Sequence, residues 1–145
     1  MIYVGIDTGT HTGYAVWDST SKELKECTSL MIHQAMERVR RLHQEYGRDL
    51  LVRIEDPRQR TWFGTERMSR DEERKRLQGV GSVKRDASIW EDYLSDAGIR
   101  FQMVAPKHNA TKMSAEYFKA VTKWTARTNE HGRDAAMLVF GFVEK

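Results

Sequence analysis

Four residues in this chain carry side chains that could hold a divalent cation together: Asp7, Glu55, His131 and Asp134. Asp7 closes a short apolar strand at residues 2–7. Alternation along it sets Ile2, Val4 and Ile6 on one face and Tyr3, Gly5 and Asp7 on the other. Glu55 ends a second apolar run, DLLVRIE, just before Asp56-Pro57. His131 and Asp134 lie three residues apart, on one face of the first turn of a C-terminal helix, and Leu138 continues that face. Polar groups at the start of a core-facing stripe are costly unless they bind something. If the first and fourth strands are neighbours, both carboxylates emerge at one sheet edge, where the helix can bring the other two. Hard carboxylate oxygens from scattered segments suit Mg²⁺ or Mn²⁺, and an imidazole is tolerated beside them. Taken singly, each residue has an ordinary alternative as a turn cap, an arginine partner or a helix-start residue. Their coincidence carries the inference.

The elements that must position these residues follow from periodicity. Strands are expected at residues 2–7, 13–17 and 24–30, joined as an antiparallel meander with a tight turn holding Gly9 and Gly13. Ala35, Val39, Leu42 and Tyr46 recur at helical spacing, which predicts a helix over 32–46 that stops at Gly47. A strand over 49–55 ends at Pro57, which favours extended geometry before it. Residues 57–77 read as a polar loop, rich in arginine and carrying the aromatic pair Trp62-Phe63. A helix is expected over 80–97, with Val83, Ala87, Trp90 and Leu94 on one face and Gly98 as its cap. A fifth strand (99–104), a basic loop turning helical near Met113, and a last helix from His131 to Phe142 complete the order. The expectation is an α/β protein in which three meander strands are continued by parallel ones.

With 145 residues the chain reads as a single domain, residues 1–145, able to bury a core without staples. A lone Cys27 excludes an intramolecular disulfide and a multi-cysteine zinc site. The opening MIYVGID is too short and uncharged for a signal peptide, and no apolar run reaches membrane length. A cytoplasmic protein with no membrane partner is expected. Net charge is only +3, yet lysine and arginine crowd into residues 53–86 and 100–133. A basic middle on a compact domain suggests a polyanionic partner.

The combined pattern resembles the RuvC-type Holliday junction resolvases of the ribonuclease H-like superfamily, across nearly the whole chain. Gly5-Ile6-Asp7-Thr8-Gly9 followed by Thr12-Gly13-Tyr14 is similar to their GIDxG strand, TG turn and second strand, with Thr8 where they carry Pro. Glu55 matches their glutamate at the end of the fourth strand, and His131 with Asp134-Ala135 matches their closing HxxDA helix. The resemblance implies a ribonuclease H-like fold: a five-stranded mixed sheet, three antiparallel strands then parallel ones, flanked by helices.

It also implies a metal-dependent endonuclease that hydrolyses phosphodiester bonds at four-way DNA junctions in recombination and repair. Two Mg²⁺ (or Mn²⁺) ions would be held by Asp7, Glu55, His131 and Asp134, with Asp7 bridging them. Phosphates would meet Arg58, Arg60, Lys84, Arg85, Lys107 and Lys112, while Trp62 and Phe63 stand where the family carries a junction-probing aromatic. The stretch Gly79-Val80-Gly81 resembles the family's glycine-containing helix start, which lets nucleic-acid backbone come close. A two-fold homodimer follows from the two symmetric incision points of a junction, and Trp90 and Leu94 are its candidate contacts. The resemblance points to a bacterial or phage-encoded protein. Alternatives are a nuclease of the same superfamily acting on flaps, other branched DNA or RNA–DNA hybrids, and a catalytically silent DNA-binding protein. A sugar-kinase-like or actin-like ATPase shares the opening hairpin but needs a second glycine-rich one, which this chain lacks.

Overall fold

The computed structural model describes residues 1–59, 70–107 and 113–145, with the backbone alone over 70–80. Its strands are β1 (Ile2–Asp7), β2 (His11–Asp18), β3 (Glu23–Met31), β4 (Leu50–Glu55) and β5 (Phe101–Val104). They form one sheet in the order β3-β2-β1-β4-β5. The first three strands are an antiparallel meander, and β4 joins β1 in parallel, with β5 parallel beyond it. The helices are α1 (Ile32–Tyr46), α2 (Arg70–Ala97), α3 (Ala115–Thr122) and α4 (Glu130–Met137). Among the described residues no helix is long and apolar enough to cross a membrane.

Alternation along the strands decides the layers. Ile2, Val4 and Ile6 of β1, with Leu50, Val52 and Ile54 of β4, pack with Ala35 and Val39 of α1 and with Trp90 and Leu94 of α2. Tyr3, Ala15, Trp17 and Leu51 face the other way, onto Phe118 of α3 and onto Ala135, Ala136 and Val139. Each large apolar side chain buried in these two layers contributes about 1.5–3 kcal/mol. Two of the opposing positions are glycines because α4 comes too close for a side chain. A Cβ on Gly5 would sit 2.1 Å from the Ala135 carbonyl oxygen, and one on Gly13 would sit 2.1 Å from that of His131. The start of α4 is held by Asn129. Its side chain accepts a 2.8 Å hydrogen bond from the Gly132 amide and donates one of 2.8 Å to the Ser29 hydroxyl on β3.

Three expectations are corrected. The arginine-rich segment is helical from Arg70, ten residues before the expected start. Arg, Glu, Lys, Gln and Leu are strong helix formers even without an apolar stripe, and Gly79 and Gly81 do not stop the helix. The last helix ends at Met137, not Phe142. Beyond it, Leu138 and Val139 donate to the carbonyls three residues back, and the chain turns at Gly141 (φ +72°). Arg53 captures the Leu138 carbonyl at 2.8 Å and lies over the Phe142 ring, while the Tyr3 hydroxyl accepts the Glu144 amide, so apolar burial continues without helix. Finally, Trp90 and Leu94 are wholly buried against the sheet and so are not available for a dimer contact.

Candidate metal centre

Strand alternation that buries Tyr3 and Gly5 under α4 also turns Asp7 toward it, at the C-terminal edge of β1. The same alternation in β4, through Leu51 and Arg53, turns Glu55 to that face. The parallel register pairs Gly5 with Arg53 and Ile6 with Ile54, and the two carboxylate residues end their strands one position on. Adjacent strands run about 4.8 Å apart, so the two backbones emerge side by side. The expected neighbourhood of the first and fourth strands is therefore met.

Helix α4 delivers His131 and Asp134 to this edge. Gly13 is the cross-strand partner of Asp7, and the His131 carbonyl rests on it. His131 Nδ1 stands 3.7 Å from Asp7 Oδ2, a separation longer than a hydrogen bond. The imidazole is half exposed while the carboxylate is mostly covered (side-chain exposure 50% and 18%), which places Asp7 at the floor of the edge and His131 at its mouth. Asp134 follows one turn later and is half-buried. Asp7, Glu55 and Asp134 each make further interactions.

Two carboxylates on one edge, a third on the helix above them and an imidazole make a hard donor set that fits a divalent cation. The structure assembles the Asp7–His131 pair. Among the described residues no three His, Cys, Asp or Glu stand together closely enough to hold an ion as they are. Holding a cation would require the Glu55 and Asp134 side chains to turn toward that pair.

The turn after β4 is locked by charge. Asp56 is buried, and both its carboxylate oxygens accept from Arg58, at 2.8 and 3.1 Å, with Gln59 adding a third side-chain bond at 3.1 Å. Burial alone would raise its pKa; the hydrogen bonds from Arg58 and Gln59 outweigh it and hold the carboxyl below the usual carboxylate range. Arg58 also reaches Ser88 and Glu91 of α2, both at 3.2 Å. Its guanidinium is thus balanced by two carboxylates and fastens the strand carrying Glu55 to α2. A 28-residue helix is about 42 Å long. On α2, Lys84 is half-buried and Arg85 exposed, and Lys107, after β5, is exposed. Arg60, Trp62, Phe63 and Lys112 lie outside the described residues.

One residue at this edge was not singled out by its sequence. Counting back by twos from Trp17 through Ala15 and Gly13 reaches His11, on the same face of β2. Its ring centre is 6.2 Å from that of His131. Alternation in β2 was the signal that would have found it.

The chain matches no family model and no curated relative. Among solved structures it is similar to T. thermophilus RuvC in complex with Holliday junction substrate, with a TM-score of 0.57 and 16% sequence identity. The likeness covers 97% of this chain and 91% of that one. The fold is therefore ribonuclease H-like: a mixed five-stranded sheet, antiparallel then parallel, flanked by helices.

Proposed function

We propose that this protein is a divalent-metal-dependent endonuclease that hydrolyses phosphodiester bonds in branched DNA, with four-way junctions as its preferred substrate. One observation carries the reading. On a ribonuclease H-like sheet, Asp7 and Glu55 end adjacent parallel strands, and α4 sets His131 3.7 Å from Asp7. Cations held by Asp7, Glu55, His131 and Asp134, two Mg²⁺ or Mn²⁺ ions in this reading, would supply an activated water and offset charge on the phosphate. The residues around them do the rest. Gly5 and Gly13 let α4 approach, which brings the backbone of His131 and Asp134 to the edge. Arg58 fixes the turn after Glu55. Arg60, Lys84, Arg85, Lys107 and Lys112 neutralise phosphates, which makes affinity fall steeply with salt. Trp62 and Phe63 supply stacking surface at the branch, where stacking is worth about 1–3 kcal/mol per base. The two incision points of a junction call for a homodimer, with contacts other than Trp90 and Leu94.

The test is a panel of labelled four-way junction, flap, RNA–DNA hybrid and linear duplex, each incubated with Mg²⁺ or with chelator. Cleavage of the junction in Mg²⁺ alone is expected. Preference for flap or hybrid would move the chain to another substrate within the same chemistry, and binding without cleavage of any substrate would refute the nuclease reading.

A further inference from the structure

Helix α3 and the chain that follows it, residues 117–129, read YFKAVTKWTARTN, with Lys119, Lys123 and Arg127 and no acid between Glu116 and Glu130. Phe118 is wholly buried and anchors α3, whereas its neighbour Tyr117 is 61% exposed. Lys123, in the left-handed region (φ +61°), ends the helix, and the chain returns to α4 through Arg127. Lys119, Lys123 and Arg127 are all exposed, and among the described residues none of these side chains makes an ion pair or a hydrogen bond. Arginines on α1 differ: Arg40 and Arg41 share Glu37. The segment is also tied to the helix that carries the candidate ligands. Arg133, between His131 and Asp134 on α4, donates to the Met113 carbonyl before α3 and to the Thr128 hydroxyl after Arg127, both at 3.0 Å.

We propose that α3 and the connector after it bind a single-stranded segment of DNA, with Tyr117 stacking on a base and Lys119, Lys123 and Arg127 meeting the phosphates. An exposed ring accepts the face of any base, and cations spaced along a surface follow the backbone, which together hold an unpaired strand without reading its sequence. The three cations have no carboxylate to give up, so binding costs no broken ion pair. Because Arg133 fastens both ends of the segment to α4, a strand lying on it is held in a fixed relation to His131 and Asp134. The proposal rests on the reading of branched DNA as substrate and deepens it by naming the surface that takes an unpaired strand.

The experiment uses the full chain in EDTA and follows the fluorescence anisotropy of a labelled oligothymidine and of a blunt duplex. Tyr117→Ala is compared with wild type, with Tyr117→Phe and with Tyr46→Ala, an exposed tyrosine that ends α1. The expected result is a loss of single-strand affinity of about five-fold or more in Tyr117→Ala, with a much smaller loss for the duplex, retention in Tyr117→Phe and Tyr46→Ala, and melting temperatures nearly unchanged. In the double variant Lys123→Gln, Arg127→Gln, the slope of log affinity against log salt for the oligothymidine should flatten by about 1.4. Equal single-strand affinity in wild type and Tyr117→Ala overturns the proposal, as does an equal loss for the duplex, a loss in Tyr117→Phe as large as in Tyr117→Ala, an unchanged salt slope or an absence of single-strand binding by wild type. Junction cleavage by wild type in Mg²⁺ reports on the nuclease reading separately, so the two can fail independently.

Discussion

Replacing Gly13 by alanine tests how α4 sets the geometry of the edge. The new Cβ would lie 2.1 Å from the His131 carbonyl oxygen, 2.7 Å from its carbonyl carbon and 2.9 Å from Asp7 Cβ. Carbon contacts settle near 3.5–4.0 Å, so relief needs movement on the order of 1 Å. The obstacle is backbone at a helix start pinned by Asn129, and it cannot swing aside as a flexible side chain would. Overpacking of this kind costs about 1–3 kcal/mol. At roughly 2–4 °C per kcal/mol for a domain near this size, the melting temperature should fall by about 2–12 °C. The same displacement carries His131 away from Asp7, and a 1 Å misplacement can cost about 100-fold in rate. Gly132→Ala is the comparison, because its Cβ would meet Thr28 backbone at 3.1 Å, and a gain in helix propensity of up to about 1 kcal/mol offsets the strain. Thermal melts and initial rates of junction cleavage should therefore rank Gly13→Ala well below Gly132→Ala. A Gly13→Ala protein that melts and cleaves like wild type would refute the packing of α4 described above.

Asp7→Asn should abolish metal-dependent cleavage while DNA binding survives or tightens, because it removes a ligand and a charge that repels phosphate; a gel-shift beside a cleavage assay reads both. His131→Asp should keep substantial activity and Asp134→Asn should not, since an acid can replace imidazole as a ligand but an amide is a poor substitute for a carboxylate. If both variants are equally dead, His131 moves a proton rather than holding metal. Gly81→Ala meets nothing within 4 Å in the interior of α2 and should raise stability by about 0.5–1 kcal/mol, while weakening junction binding if backbone approach at that glycine matters. Burial pushes the Cys27 thiol up to about 11, against the pull of Arg133, so alkylation at pH 8 should be slow until the chain unfolds. Rapid labelling of the folded protein would contradict the burial of β3.

What could be read in the sequence was what periodicity and turn chemistry encode. Ile2–Asp7 and Ile32–Tyr46 appear with the expected bounds, because one alternates cleanly and the other ends at Gly47. The neighbourhood of Asp7 and Glu55 was legible as a condition on strand order, and the sheet meets it. The start of α2 was not legible. Residues 70–79 form helix through intrinsic propensity and lack the apolar repeat that marks a helix in sequence. The end of α4 was hidden for the opposite reason, since Val139, Phe140 and Phe142 keep an apolar pattern after the helix has stopped. The carboxylate partners of Arg58, Asp56 and Glu91, were not legible, because one lies in the same turn and the other on a helix 33 residues on. Trp90 and Leu94 looked available for a dimer until the sheet claimed them.

The most direct test of the metal centre is anomalous diffraction from crystals soaked in Mn²⁺, with Asp7→Asn crystals treated alike. Anomalous density among Asp7, Glu55, His131 and Asp134 is predicted for wild type, and its loss for the variant. Ordered Mn²⁺ elsewhere with none at this edge, or density that persists unchanged in Asp7→Asn, would contradict it.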